Sequence, residues 1–508
     1  MIGKGKNFHI NRYLKAFIIT FDPFFRTNEH KHMMKLFLVS LFTLFAVQKN
    51  YSQACTCETN FQWVKKTFEA NDAGFRYIIS KKGKDAYEVH NRLYLNKIKN
   101  LPNDRACAEA IYNWIIFFRK GHIGINYLKE DTPQKDKAQK NIKLEKFGPG
   151  YKDFIQYLDQ KNNSTDLEGV WVLNGYKIGI KKRNADYVGF IFESQNKTWE
   201  TNEVKTVFND RDGVYYPGNK IQQKITSVKR IGNTYLKLGE VTLQKVYPIT
   251  KEDEKVEKGY AQLNADKPFF ERLNETTVYL RIPLFEISEK PLIDSVIAKN
   301  RDIILSTPNL IIDVRNNPGG SDVSYEQIIP FLYTNPIRTV GAEFLSTKLN
   351  NQRMLELSKN TDFDEASRKT FRKYYDTLNR SIGEFVNLSE EKITIEKMDK
   401  VLPYPKNVGI IIHQENGSTT EQFLLLARQS KKVKLFGKTT RGMLDISNVN
   451  IITSPCNDFE LYYGLSKSFR IPDLAVDDIG LQPDYFIDSS IPEYGWVDHV
   501  NNMLNTER

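Results

Sequence analysis

Asn407-Val-Gly-Ile-Ile-Ile-His-Gln-Glu-Asn-Gly-Ser-Thr-Thr-Glu-Gln-Phe-Leu-Leu-Leu-Ala-Arg428 is the stretch on which the reading of this chain turns. Val408 to Ile412 is β-branched apart from Gly409, the pattern of a strand covered on both faces, and Asn416-Gly417 is a strong turn signal. Phe423, Leu424 and Ala427 then recur at helical spacing, with Gln422, Arg428 and Gln429 on the other side, which predicts a helix from Thr419. Ser418 falls at the joint. A hydroxyl there lies beside the helix's unpaired N–H groups and its positive end, both suited to a developing oxyanion. The same letters also spell a capping box. In Ser418-Thr419-Thr420-Glu421 the hydroxyl would accept an N–H of the first turn while Glu421 reaches back to the backbone of Ser418. Locally, a nucleophile and a cap are both open.

Outside this joint the composition is that of a globular chain. Its 508 residues leave room for about two to four domains. An aromatic content of 12% with 27% charged residues excludes a disordered polymer. The net charge of +11 is spread along the sequence without a recognition motif, so no nucleic acid partner is expected.

Met33-Met-Lys35 leads into the apolar run Leu36-Phe-Leu-Val-Ser-Leu-Phe-Thr-Leu-Phe-Ala-Val47, and Ser52-Gln-Ala54 puts small residues where a signal peptidase reads. Cleavage is expected before Cys55. The run is short for a membrane span, so none is expected after cleavage, and residues before Met33 read as an upstream extension. The expected location is periplasmic or extracellular. Ser-Gln-Ala-Cys is a poor lipobox, which disfavours a lipid anchor at Cys55. In an exported chain Cys55, Cys57, Cys107 and Cys456 predict a disulfide, Cys107 pairing with Cys55 or Cys57. Cys55-Thr-Cys57 lacks partners at zinc-site spacing, so no metal is expected.

Along the chain the period of the apolar pattern changes twice. From Asn60 to about Tyr157 it is helical, as in Trp63-Val-Lys-Lys-Thr-Phe68, and Arg119-Lys-Gly-His-Ile-Gly-Ile125 brings His122 into a short extended piece after a helix. The charged run 131–146 reads as an exposed loop or helix. From Leu167 to about Pro248 the period is two, which predicts a small all-β barrel or sandwich whose Trp171, Tyr176, Tyr187 and Trp199 are core. From about Ala265 strands and helices alternate, with Asn309-Leu-Ile-Ile-Asp-Val314 a buried strand that ends in Arg315-Asn-Asn-Pro-Gly-Gly320. The expected fold class is α+β multidomain. Residues 1–54 are extension and signal, 55–165 a helical domain with the Gly-His motif, 166–264 the β module, and 265–508 an α/β core.

Two pieces of the core carry chemistry together. The glycines after Pro318 let backbone N–H groups approach a ligand, so Gly319 or Gly320 with Thr419 could form an oxyanion hole for Ser418. At this point the chain resembles the C-terminal-processing, or tail-specific, serine peptidases and their relative the tricorn core protease. Ile312-Asp-Val-Arg-Asn-Asn-Pro-Gly-Gly320 is similar to that family's "DLRxNxGG", and Ser418-Thr-Thr-Glu421 to its "SAxE". Lys434-Leu-Phe-Gly-Lys-Thr-Thr-Arg-Gly442 resembles its glycine-bounded turn, Gly480-Leu-Gln-Pro-Asp484 its "GxxPD", and Lys120-Gly-His-Ile-Gly124 its "DGHT".

The resemblance implies a crotonase/ClpP-like core, peptide-bond hydrolysis through an acyl-enzyme at Ser418, a polypeptide substrate and no cofactor. Its Ser/Lys members carry a base lysine where this chain has Arg441-Gly442-Met443, and Lys434 and Lys438 are out of register. By resemblance to the tricorn-like branch, His122 would instead take the proton, with Asp477 or Asp478 in support. His413 is a rival five positions before Ser418, on a strand that should point it away. The β module stands where many relatives have a PDZ domain and shows no peptide-binding loop. A catalytically inactive relative that binds peptides or glycans is the alternative, and an esterase on the same core a third reading.

Overall fold

The computed structural model describes residues 55–506 except 129–143, 162–166, 174, 196–198, 219, 221, 240, 362 and 390. The signal-like stretch and residues 131–143 of the charged run therefore lie outside the described residues. The chain forms two compact units, one containing residues 135–256 and the other 53–134 with 257–508. The fold class is α+β, with helices near the N-terminus and a mixed sheet-and-helix core in the C-terminal half.

The second unit is built on a six-stranded sheet. In spatial order its strands are Phe269–Arg272, Thr277–Arg281, Asn309–Asp313, Asn407–Ile412, Val433–Gly437 and Tyr485–Phe486, the first antiparallel to its neighbour and the rest parallel. Successive side chains point to opposite faces. Leu280, Ile312, Ile410 and Leu435 meet the helices Lys290–Ile304 and Thr419–Ala427 in one core, while Tyr279, Ile311, Ile411 and Phe436 meet the helix Trp496–Thr506 in another. Both faces are thus covered, which is why the middles of the central strands, Val278–Leu280, Leu310–Ile312 and Val408–Ile412, carry no charged residue. Asp313, buried at the end of its strand, pairs with Arg315 and Arg281 and accepts the Tyr279 hydroxyl at 2.9 Å.

Four helices, Cys57–Asn71, Phe75–Lys82, Lys84–Ile98 and Arg105–Ile115, share a core with one long strand, Phe459–Ser468. That strand belongs to a second sheet, where it pairs with Gly124–Tyr127, Ala342–Leu345 and Ile446–Thr453. Cys57 bonds Cys107, one of the two expected pairings, and Cys55 bonds Cys456, a partner 401 residues away that spacing did not suggest. None of the helices among the described residues is long and apolar enough to cross a membrane.

The first unit holds a nine-stranded antiparallel sheet over the short helix Tyr151–Asp159. Its edge strands Gln223–Ile225 and Val228–Ile231 are joined by Thr226 and Ser227 alone, so the sheet curls until its edges meet at that corner, as in a barrel. Trp171 and Trp199 are buried in its core, with Tyr176 and Tyr187 packed against it.

Candidate active site

Ser418 is where the sequence placed it, between the strand Asn407–Ile412 and the helix Thr419–Ala427. Its backbone is unusual, with φ 54° and ψ −126°, a region that non-glycine residues occupy only when the surroundings hold them there. Those surroundings are visible. Asn416 donates to the Val314 and Asn317 carbonyls at 2.5 and 3.0 Å, Thr420 donates to Asn317 Oδ1 at 2.9 Å, and the Ser418 N–H donates to the Met443 carbonyl at 3.0 Å.

The capping-box alternative is overturned. The Ser418 side chain makes no capping bond, and Glu421 does not reach back to it. Glu421 is buried, and its carboxylate accepts Thr440 Oγ1 and the N–H groups of Gly442 and Met443 at 2.5, 2.7 and 2.9 Å. Burial raises its pKa against the pull of those donors.

The hydroxyl instead faces His122. Ser418 Oγ lies 3.1 Å from His122 Nε2, across 296 positions of sequence. His122 Nδ1 is 2.6 Å from the Ile446 carbonyl oxygen. A carbonyl can only accept, so Nδ1 carries the proton and Nε2 is left to accept from the hydroxyl. Burial pushes the imidazole pKa down to about 4, opposed by the Ile446 carbonyl and reinforced by the charges of Arg119 and Arg441. The ring is therefore neutral at pH 7 and able to take a proton.

His122 also has a φ of 54°, and its loop is braced by a buried ion pair that sequence reasoning missed. Arg119 grips both oxygens of Asp72 at 2.7 and 2.6 Å, and donates to the carbonyls of Gly121 at 2.9 Å and His122 at 3.1 Å. Asp72 Oδ2 also accepts the Gly464 N–H at 3.1 Å. An arginine shortly after a helix and three residues before the histidine was the available signal for Arg119; Asp72, in an unrelated segment, left none.

Asp477 does not touch the imidazole. Its carboxylate accepts the N–H groups of Leu444, Asp445 and Ile446 at 2.5, 2.7 and 3.1 Å, so it sets the start of the strand whose Ile446 carbonyl holds the ring. Burial and the neighbouring Asp445 raise its pKa to about 6, against those three donors. Asp478 sits in a left-handed turn, φ 67°, and donates its N–H to the Gly442 carbonyl.

The expected oxyanion donors divide. The Gly319 N–H donates to Asn317 Oδ1 at 3.0 Å, so it is spent on the loop. With φ 119°, Gly319 lies so close that a Cβ there would come within 2.9 Å of Ser418 Cβ and 3.0 Å of the Thr419 nitrogen, which only glycine allows. The N–H groups of Gly320 and Thr419 have no backbone partner among the described residues. The rival bases lie elsewhere. His413 is buried against Trp496 with Nε2 3.5 Å from Glu493, Lys438 is 3.8 Å from the same carboxylate, and Lys434 is exposed.

Residues 276–487, somewhat under half of the chain, match the family model described as peptidase family S41. Among solved structures, mature CPAF complexed with lactacystin is similar at a TM-score of 0.50 and 12% identity, over 89% of this chain and 98% of that one. Mature CPAF alone gives the same score and identity over 89% and 96%. At that identity the likeness is one of fold. The photosystem II D1 C-terminal processing protease scores 0.37 at 11% identity, over 86% and 95%. No curated protein matches the sequence.

Proposed function

We propose that the protein is an exported serine endopeptidase that hydrolyses polypeptides through an acyl-enzyme at Ser418. The observation that carries this reading is the 3.1 Å contact between Ser418 Oγ and the unprotonated nitrogen of His122. His122 takes the hydroxyl proton as Oγ attacks the peptide carbonyl, and returns it to the leaving amine. Water then repeats the cycle on the ester. Gly320 and Thr419 supply the N–H groups for the oxyanion, with Gly319 shaping the loop that presents them. Asp477 is a positioning residue that acts through the Ile446 carbonyl. The chemistry calls for no cofactor.

Export is supported by two disulfides, which persist in oxidising compartments. One of them commits the Cys55 sulfur to Cys456, which leaves no thiol for a lipid anchor there. The test of the reading is reaction with a fluorophosphonate and hydrolysis of an unstructured protein such as casein, each repeated with Ser418→Ala. Labelling of the wild type alone, at Ser418, is expected; equal labelling of both proteins would end the assignment.

A further inference from the structure

One residue links the two halves of this site. The backbone of Met443 accepts the Ser418 N–H at 3.0 Å and donates to Glu421 at 2.9 Å, so it is fixed to the serine turn. Its side chain fills the space over two glycines, one before each reacting residue. A Cβ added at Gly121 would lie 2.3 Å from Met443 Cβ, with Cε and Cγ of the same side chain its next neighbours at 3.1 and 3.2 Å. A Cβ at Gly417 would lie 2.8 Å from Met443 Cγ and 3.1 Å from its sulfur. Neither glycine has a positive φ, so an L-residue is compatible with the backbone at both positions. What forbids a side chain there is Met443.

We infer that Met443 is a positioning residue of the hydrolytic site, a wedge between the histidine loop and the serine turn that holds the imidazole of His122 at bonding distance from Ser418 Oγ. The inference rests on the Ser418 and His122 reading above. The imidazole is carried on a strained loop whose brace, Arg119 with Asp72, acts through the Gly121 and His122 carbonyls. That brace fixes the backbone. Contact with Met443 stops the loop from settling toward the serine turn or tilting off it. An unbranched thioether suits an irregular gap of this shape, and leucine, of similar volume, is its nearest substitute.

The test compares four variants of the full-length protein: Met443→Ala, Met443→Leu, Gly121→Ala and Gly121→Ala combined with Met443→Gly. Fluorophosphonate labelling rate at pH 7, its pH profile and thermal unfolding are measured for each. Met443→Ala is expected to label about 100-fold more slowly while still unfolding cooperatively, because an error of about 1 Å between reacting groups costs that much. Met443→Leu should restore most of the rate. Gly121→Ala should be as slow as Met443→Ala, and the double variant faster than Gly121→Ala, since Met443→Gly removes the Cβ that would lie 2.3 Å from the new methyl group. Wild-type labelling by Met443→Ala, or a double variant no faster than Gly121→Ala, would overturn the inference. If the wild type itself does not label, the peptidase reading fails and the wedge is read separately from the His122 imidazole nitrogen resonances, assigned with His122→Asn. Met443→Ala should then alter the signal of the Nδ1–H bonded to Ile446; an unchanged signal would count against the wedge.

Discussion

The serine turn and the histidine loop are strained alike, each with a φ of 54°, yet they are held by different means. Around Ser418 the bracing side chains are its own neighbours. Asn416, Thr420 and Glu421 lie within three positions of it and bond to the glycine loop or to the turn at 440–443. Around His122 the brace comes from afar, through Asp72 at 47 positions from Arg119, and through Ile446 at 324 positions from the histidine. Locally braced strain leaves a motif in the sequence. Remotely braced strain leaves a single histidine beside a glycine, whose role appears only when the chain is folded.

The largest effect that would break this comparison is at the reacting atoms. Ser418→Ala and His122→Ala should each lower kcat by about 10⁴-fold or more in a peptide hydrolysis assay, and Lys438→Ala by little. If His122→Ala stayed active, the remote half of the site would be ornamental. Next comes its brace. Arg119→Ala leaves the Asp72 carboxylate buried without its partner, so urea unfolding should show a loss of about 3–5 kcal/mol together with a fall in activity. A stability loss with full activity would mean that the loop does not depend on the pair.

Smaller effects sharpen the contrast. Asp477→Asn weakens its hold on the three N–H groups that align Ile446, and should lower kcat about 10-fold with KM nearly unchanged, in line with about 1–2 kcal/mol of lost orientation. The pH profile follows from the imidazole. Because its pKa is depressed to about 4, the base stays neutral well below the usual histidine range, and activity should fall as pH drops through about 4 rather than near 6.5. The unfolded chain takes up this proton below about 6.5 while the folded chain resists it. The contribution of His122 to stability is therefore present above about 6.5 and lost as pH falls toward 4. An acid limb centred near 6.5 would show the ring to be solvated, not enclosed.

Much of the serine half was legible. The β-branched run at 408–412 and the Asn-Gly turn describe the observed strand and turn closely, since both faces of that strand are buried, and the helix starts at Thr419 as expected. Gln422, expected on its outer side, is instead buried with Thr420 and Glu421, because the helix is covered on most sides. The glycine pair at 319–320 was also readable, because close approach to Ser418 tolerates no side chain. Other features were not. Spacing assigned Cys107 a partner near Cys55 but could not bring in Cys456, which a hairpin turn delivers. Asp477 was marked as a residue of the site, yet its carboxylate is turned to backbone N–H groups and reaches the imidazole only through a carbonyl.

What the sequence alone determined is local: which segments are strand, turn and helix, and that a hydroxyl stands where a strand becomes a helix. Side-chain period and turn chemistry act over a few residues, so they can be read without knowing the rest of the fold. The tertiary structure decided whether that hydroxyl caps a helix or meets a base. Backbone strain turned Ser418 away from its own N–H groups, and the packing of the two sheets set the imidazole opposite it, with a carbonyl that fixes which nitrogen is free.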